Sequence, residues 1–529
     1  MISNVRQLLE EQASACSGEV FLISEADERQ WTYSEFNTAV NRTANLLLAN
    51  RISKGDVVSL LLPNSAEYII AYFACWKIGA LAGPVNSLLK KEEIEWVVGN
   101  SEAKLMLVGS DLWHNVSFEG GLKPPAISAE PTGPVPPADA GGTDLCPQIV
   151  FDNVVIADEF PDTLDPVELD SDDDAIIIYT SGTTGKPKGC LLTHGNLIAN
   201  AKQISEWMNF TEEDRLLTVM PLFHMNAVSV TTMTALYAGG STVVSPKFSA
   251  SRFWDIIEKY QITSFGSVAT MLSMLLSKEQ LAVSNQQDPK SKIQNPKSES
   301  LRFAMCGSAP VPAEVLKKFE ETFGVLVIEG YGLSESTCRS TFNPPNEDRR
   351  PGSCGKPIGN EMKVFDESDN EVRDNELGEI VLRGDNIFKG YFKNPEATEK
   401  AFASGWFHTG DVGYRDVDGF FYIADRKSDM IIRGGENIYP REIDDILYTH
   451  PAVAAAAVIG VPDELYGEEV AAFVVLKDGT KATSEDLFAF CREHLADYKC
   501  PKAIHFVDDI PKGPTGKLLK RELAKIYGE

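Results

Sequence analysis

No Cys-x-x-Cys pair occurs in this chain of 529 residues, although it holds nine cysteines. An odd, scattered set fits reduced thiols better than a disulfide framework or a zinc site. Positive charge is scarce: 49 lysines and arginines face 77 acidic residues, for a net charge of −28. That balance argues against holding nucleic acid or an anionic membrane through bulk electrostatics. It does not forbid a phosphorylated ligand, because a local nest of N–H groups can hold an anion in an acidic protein. Long apolar runs are missing too. The longest lies near Ala452–Val461 and is too short to span a bilayer. The N-terminus lacks the apolar core of a signal peptide, and Val5, Leu8 and Leu9 fit one face of a helix instead. The last residues, Tyr-Gly-Glu, are no peroxisomal address. The expectation is a cytoplasmic protein with no integral membrane segment.

The composition that remains is 43% hydrophobic and 24% charged, as in globular proteins, and the length calls for two or more cores. Val57–Leu62, Ala103–Val108, Ser241–Ser245, Phe303–Cys306 and Val325–Glu329 read as strands, and Ala66–Gly79 as a helix. This alternation predicts α/β layers with parallel sheets, whose ligands gather at the carboxyl ends of strands. Two stretches, Lys123–Thr143 and Lys278–Ser300, have the polar or Pro/Gly-rich composition of exposed loops. After Gly419–Ala424, a strand, a self-contained pattern follows: the helix Pro440–Thr449, the strands Val453–Ile459 and Val470–Leu476, the helix Ser484–Leu495 and a helix after Gly516. The fold class is therefore α/β, with a large N-terminal domain of layered subdomains over 1–425 and, past a boundary at 426–429, a small α+β domain over 430–529.

The densest chemistry lies in Ile178–Gly189, where four Ser/Thr hydroxyls, three glycines and two lysines follow an apolar, strand-like run. Glycines let backbone N–H groups converge on an anion, and hydroxyls and lysines add donors and charge. The loop is suited to polyphosphate, yet the Walker A spacing is absent. Further motifs follow in order: Pro221–His224, Gly307–Pro310, Glu329–Glu335, Glu376–Glu379, Gly405–Asp411, Asp425-Arg426, Gly434–Asn437 and Pro511–Lys517.

Together these motifs resemble the adenylate-forming enzymes: acyl-CoA synthetases, luciferases and the adenylation domains of peptide synthetases. Asn41–Leu46 and Phe253–Tyr260 are similar to the crotonobetaine/carnitine–CoA ligase branch. The resemblance implies an acid–thiol ligase that uses ATP and Mg2+ to make an acyl-adenylate and then passes the acyl group to CoA. A carboxylate is a poor acyl donor until an adenylate leaving group replaces its oxide, and metal and positive groups must neutralise the polyphosphate meanwhile. An alternative acceptor is an acyl carrier protein. A non-catalytic adenylate-binding protein is disfavoured because Glu335, Asp411 and Lys517 are all present, and nothing specifically supports a luciferase-type oxygenase.

By the same resemblance, Thr180, Ser181, Gly182, Thr183, Thr184, Gly185, Lys186 and Lys188 hold the β- and γ-phosphates. Thr180 and Glu335 are the metal ligands. Gly307, Ser308 and Ala309 lie against adenine, with Glu329, Gly330, Tyr331, Gly332 and Ser334 on the nucleotide side and Tyr331 stacked on the purine. Ser334 departs from the commoner threonine but keeps the hydroxyl. Asp411 binds the ribose hydroxyls, and Ile423 and Arg426 add nucleotide contacts. Lys517 is the catalytic lysine, bridging carboxylate and α-phosphate. Gly434, Gly435 and Glu436 line a pantetheine tunnel. Ser428 stands at the hinge position, where Asp or Lys is usual. The acyl pocket takes His224, also counted as catalytic, with Met225, Asn226, Val230, Gly307, Ser336 and Cys338. The stretch His224–Val230 holds no aspartate for an α-amine, which weighs against amino acids. Arg339, beside this pocket, either reaches a second carboxylate or polar group on the substrate or points to solvent; solvent is favoured because lone arginines snorkel.

Overall fold

The computed structural model describes residues 2–115, 146–153, 157–180, 187–284, 299–307, 313–477, 479–512 and 518–527. The expected loop Lys123–Thr143 lies outside them, as does most of Lys278–Ser300.

Two large sheets form the body of the N-terminal domain. One has nine strands, with five central strands running parallel in the order Leu326–Tyr331, Phe303–Cys306, Ser264–Ser267, Arg215–Thr218 and Ser241–Val244. The other has seven, and its middle strands Leu81–Pro84, Val57–Leu61 and Leu105–Val108 are also parallel. Five of these strands were expected from the apolar runs and are displaced by at most a residue or two at their ends; Leu81–Pro84, Arg215–Thr218 and Ser264–Ser267 were not expected.

Between the sheets lies the helix Ala66–Lys77, buried along its whole length. It touches Val20–Ser24 of the nine-stranded sheet and both Val57–Leu61 and Leu81–Pro84 of the seven-stranded one. A helix apolar on every side is stable only in such a position. Its polar tips find backbone partners: Tyr68 Oη donates to Leu60 O at 3.0 Å, Tyr72 Oη to Leu222 O at 2.7 Å and Trp76 Nε1 to Ala175 O at 2.9 Å. Lys77 ends the helix with its ammonium buried against Asn41 Oδ1 at 2.7 Å, and burial lowers its pKa to about 8.

A four-stranded antiparallel sheet, Glu361–Phe365, Gly378–Arg383, Phe407–Arg415 and Phe421–Arg426, completes the N-terminal domain. A short turn leads to the small C-terminal domain, a five-stranded sheet starting at Ile431–Arg433 with its own apolar clusters. The helices Pro440–Thr449 and Ser484–His494 match expectation, whereas the strand from Val453 runs on to Asp463 because its partner Gly467–Leu476 continues the hairpin. One expectation is corrected outright. Lys278 does not open a loop; it sits inside the helix Ala269–Ser284, since Lys-Glu-Gln-Leu-Ala is strong helix-forming sequence whatever its polarity.

Candidate active site

The strand Leu326–Tyr331 leaves the nine-stranded sheet at Tyr331, and the four-stranded sheet brings Asp411 across to it. Tyr331 Oη donates to Asp411 Oδ2 at 2.6 Å. Asp411 is 3% exposed and sits opposite Arg426 in the antiparallel ladder, with Arg426 Nε 3.0 Å from its other oxygen. The charge of Asp411 raises the Arg426 pKa, while burial together with that same carboxylate raises the Tyr331 phenol. Three of the expected nucleotide contacts thus form one hydrogen-bonded cluster. Ile423, on the same strand as Arg426, is half-buried.

A second group gathers where the strands Asp174–Thr180 and Lys188–Thr193 meet the turn Ser334–Ser336. Thr180 Oγ1 lies 3.9 Å from Cys190 Sγ, and the Glu335 carboxylate helps raise the pKa of that thiol. Thr180 and Glu335 therefore share a neighbour, although their sequence positions are far apart. Tyr391, which sequence reasoning missed, ties the group together. It pairs with Cys190 in the ladder, donates to Glu335 Oε1 at 3.1 Å and carries the Lys188 ammonium 5.0 Å from its ring centre. Only its pairing signals it; the two-residue strand Gly390–Tyr391 has no legible period. A single half-buried carboxylate with a hydroxyl nearby suits Mg2+, which takes few protein oxygens and shares the rest with water and phosphate. Ser181, Gly182, Thr183, Thr184, Gly185 and Lys186 lie outside the described residues, as do Ser308, Ala309 and Lys517.

Around the expected acyl pocket, the segment Ser336–Arg339 is clamped by two buried asparagines. Asn200 Nδ2 donates to Arg339 O at 2.6 Å and Asn386 Nδ2 donates to Ser336 O at 3.2 Å. The clamp holds Thr337 at a φ of 64°, a rare conformation for a β-branched residue that persists only when its surroundings over-determine it. Ser336 spends its hydroxyl locally, accepting from Leu333 N at 3.0 Å. Cys338, Met225, Asn226 and Val230 are all buried. His224 Nε2 is buried without a partner, and desolvation lowers the imidazole pKa to about 4, so the ring is neutral at physiological pH. From Asn226 to Met233 the chain forms a π-helix, a form frequent at functional sites and invisible to a search for the 3.6-residue period. Thr232 and Thr234 fit this wider turn, donating to the carbonyls five residues back, Ala227 O and Ser229 O, each at 2.9 Å.

Close approach explains the glycines. A Cβ on Gly332 would stand 2.0 Å from Cys338 O, and one on Gly307 would stand 2.6 Å from Arg339 Nη2. The second contact corrects the solvent reading of Arg339: its side chain is 1% exposed, because the clamp on its backbone turns it inward under Gly307. Gly330 ends the same strand as Tyr331, and Ser334 begins the turn that carries Glu335. Glu329 turns aside, accepting from Gly352 N at 2.9 Å, and burial pushes its carboxyl up to about 8. Gly434, Gly435 and Glu436 are exposed on a hairpin of the C-terminal domain, where Gly434 N donates to Tyr466 O.

Known proteins resemble this chain along most of its length. The profile of the family described as AMP-binding enzyme matches residues 9–392, and that of its C-terminal domain matches residues 442–517. The chain is 35% identical over 505 residues to oxalate–CoA ligase of Arabidopsis thaliana, covering 94% of each protein. It is also 35% identical over 537 residues to crotonobetaine/carnitine–CoA ligase of Citrobacter koseri, covering 98% of each. Among solved structures, o-succinylbenzoate CoA synthetase from Bacillus subtilis in complex with its acyl-adenylate intermediate superposes with a TM-score of 0.82 at 31% identity, covering 99% of this chain and 98% of that one.

Proposed function

The chain belongs to the AMP-binding enzyme family, and from that premise we propose how its residues divide the work of an acid–CoA ligase. The enzyme is an ATP-dependent ligase that activates a carboxylic acid as acyl-AMP, releases pyrophosphate and transfers the acyl group to CoA, with Mg2+ as the metal. In the first step a carboxylate oxygen bonds to the α-phosphorus while the bond to the β-phosphate oxygen breaks. In the second the thiol sulfur bonds to the acyl carbon, AMP departs with the electron pair, and the thiol proton passes to solvent.

In this reading Tyr331, Asp411 and Arg426 hold the nucleoside, with Asp411 accepting from the ribose hydroxyls. The one observation that carries it is their cluster, with contacts of 2.6 and 3.0 Å, since a buried carboxylate already fixed by two neighbours is pre-organised to receive a diol. Thr180, Lys188 and Glu335 serve the phosphates, Glu335 as the Mg2+ ligand; the ion neutralises charge on the polyphosphate when bound. The loop Ser181–Lys186 and Ser308–Ala309 complete the nucleotide site. Residues 1–425 form the AMP-binding domain, 426–429 the hinge and 430–529 a domain that rotates to exchange Lys517 for Gly434, Gly435 and Glu436. His224 is a neutral wall of the acyl pocket. An acyl carrier protein is the alternative acceptor, which the strong net negative charge disfavours because carriers are acidic. The chain works in the cytoplasm; among the described residues no helix is long and apolar enough to cross a membrane.

The test is AMP release from a panel of acids with ATP, Mg2+ and CoA. Asp411→Ala raises the KM for ATP by about tenfold or more, the order expected for lost charge-assisted hydrogen bonds. Glu335→Gln shifts the Mg2+ requirement upward. Unchanged kinetics in the Asp411 variant would remove that residue from the nucleotide site.

A further inference from the structure

Two of the three guanidinium nitrogens of Arg339 have no hydrogen-bond partner among the described residues. Its side chain is 1% exposed, and both Nε and Nη2 are buried without a hydrogen-bond partner. The Phe342 ring, 5.4 Å from the guanidinium carbon, covers one face but satisfies no N–H. Glu329 is the acid that shares Cys306 as a neighbour, and its carboxyl is bonded to Gly352 N and kept neutral by burial. His224 brings no negative charge either. A buried unpaired charge is costly, so it persists where a ligand supplies the partner.

Asn226 shows the same deficit. Both its Oδ1 and Nδ2 are buried and unpartnered, and Oδ1 stands 2.6 Å from where a Cβ on Gly266 would lie. Gly266 pairs with Met305 in the parallel ladder, and the next rung, Ser267 with Cys306, leads to Gly307, whose N–H donates to Ser267 O. Met305 and Gly307 project to one face of the sheet, and so does the paired Gly266. Arg339 and Asn226 therefore meet the same sheet face over adjacent strands, each against a glycine. Asn226 and Gly307 are among the residues expected at the acyl pocket, and the Asn200 and Asn386 amides fix the Arg339 carbonyl.

We propose that Arg339, assisted by Asn226, is a specificity residue that binds a second anionic group, a carboxylate or a sulfonate, on the acid that the enzyme activates. The inference rests on the acid–CoA ligase reading of the same site. A planar guanidinium matches either group through paired N–H donors. It repels a quaternary ammonium, so the branch that acts on crotonobetaine or carnitine is not matched in substrate.

The full-length enzyme decides this with AMP release on matched acids: short linear diacids, their sulfonate analogues, the uncharged monocarboxylates of equal length and a trimethylammonium acid. The wild type favours the diacid or sulfonate in kcat/KM by about a hundredfold or more over its uncharged match, because a site built around a buried donor rejects a substrate that leaves it unpaired. Which anionic series is preferred identifies the group. Arg339→Met erases that preference while keeping the KM for ATP and turnover of uncharged acids, and Arg339→Lys retains part of it. A wild-type preference for uncharged or cationic acids, or an equal loss on every acid in Arg339→Met, overturns the role while leaving the ligase reading intact. If no acid of any charge releases AMP, the ligase reading falls and the role of Arg339 falls with it.

Discussion

Glu329 shows how the surroundings of one residue set its chemistry. It belongs to the motif Glu329–Glu335, whose other residues we propose serve the nucleotide, yet its own carboxyl is turned to Gly352 and buried. Burial moves its pKa from 4.5 to about 8, with the Gly352 N–H and the charges of Arg441 and Arg349 opposing the shift. A carboxyl whose folded pKa is raised contributes stability that is complete below 4.5 and is lost as pH rises through 8. Glu329→Gln keeps an oxygen for Gly352 and has no proton to lose. Its melting temperature relative to wild type should climb by a few degrees between pH 5 and pH 8, in the direction that linkage requires. Parallel melting curves across that range would show that the carboxyl stays ionised in the fold.

At the scale of elements, the turn after Phe421–Arg426 is the shortest covalent path between the domains. Lys427 N donates to Gly410 O, Asp429 N to Arg426 O, and Ser428 is exposed with its hydroxyl 2.9 Å from Asp429 Oδ1. An exposed serine with only local bonds is the kind of position where φ and ψ can change at low cost. Ser428→Pro fixes φ near −65°. Acid-dependent exchange of pyrophosphate with ATP should persist in this variant, whereas acyl-CoA release should fall by about tenfold or more. Thioester formation at the wild-type rate would move the hinge elsewhere in 426–429. The π-helix Asn226–Met233 makes the opposite point, since it is buried along its length and the hydroxyls of Thr232 and Thr234 bond back to carbonyls five residues earlier.

For the molecule as a whole, the question is whether one C-terminal domain serves two reactions. Gly434–Asn437 are exposed, and Asp425 accepts from Arg441 N at 2.8 Å, which joins the helix Pro440–Thr449 to the last N-terminal strand. Rotation about the turn must break that bond and make others. Lys517→Ala should reduce acyl-adenylate formation by roughly two or more orders of magnitude, as when a charge acting on a developing oxyanion is lost. Thioester formation from supplied acyl-adenylate should survive far better. Equal losses in both half-reactions of a folded variant would reject a lysine that acts in only one of them.

The order of motifs, the α/β class and the separate C-terminal pattern were legible in the chain itself, because hydrophobic period and local turn chemistry are properties of neighbouring residues. The choice of Asp411 and Glu335 as candidates was also legible, since they stand in motifs where a carboxylate has few other uses. Tyr391 was not, since its meaning comes from a partner strand two hundred residues away. Nor was the fate of Arg339, whose local sequence is compatible with solvent. Two asparagines on distant elements turn it inward, and two glycines on adjacent strands open the space it and Asn226 enter. Burial and convergence depend on which strands lie side by side, and that is decided only when the sheets assemble.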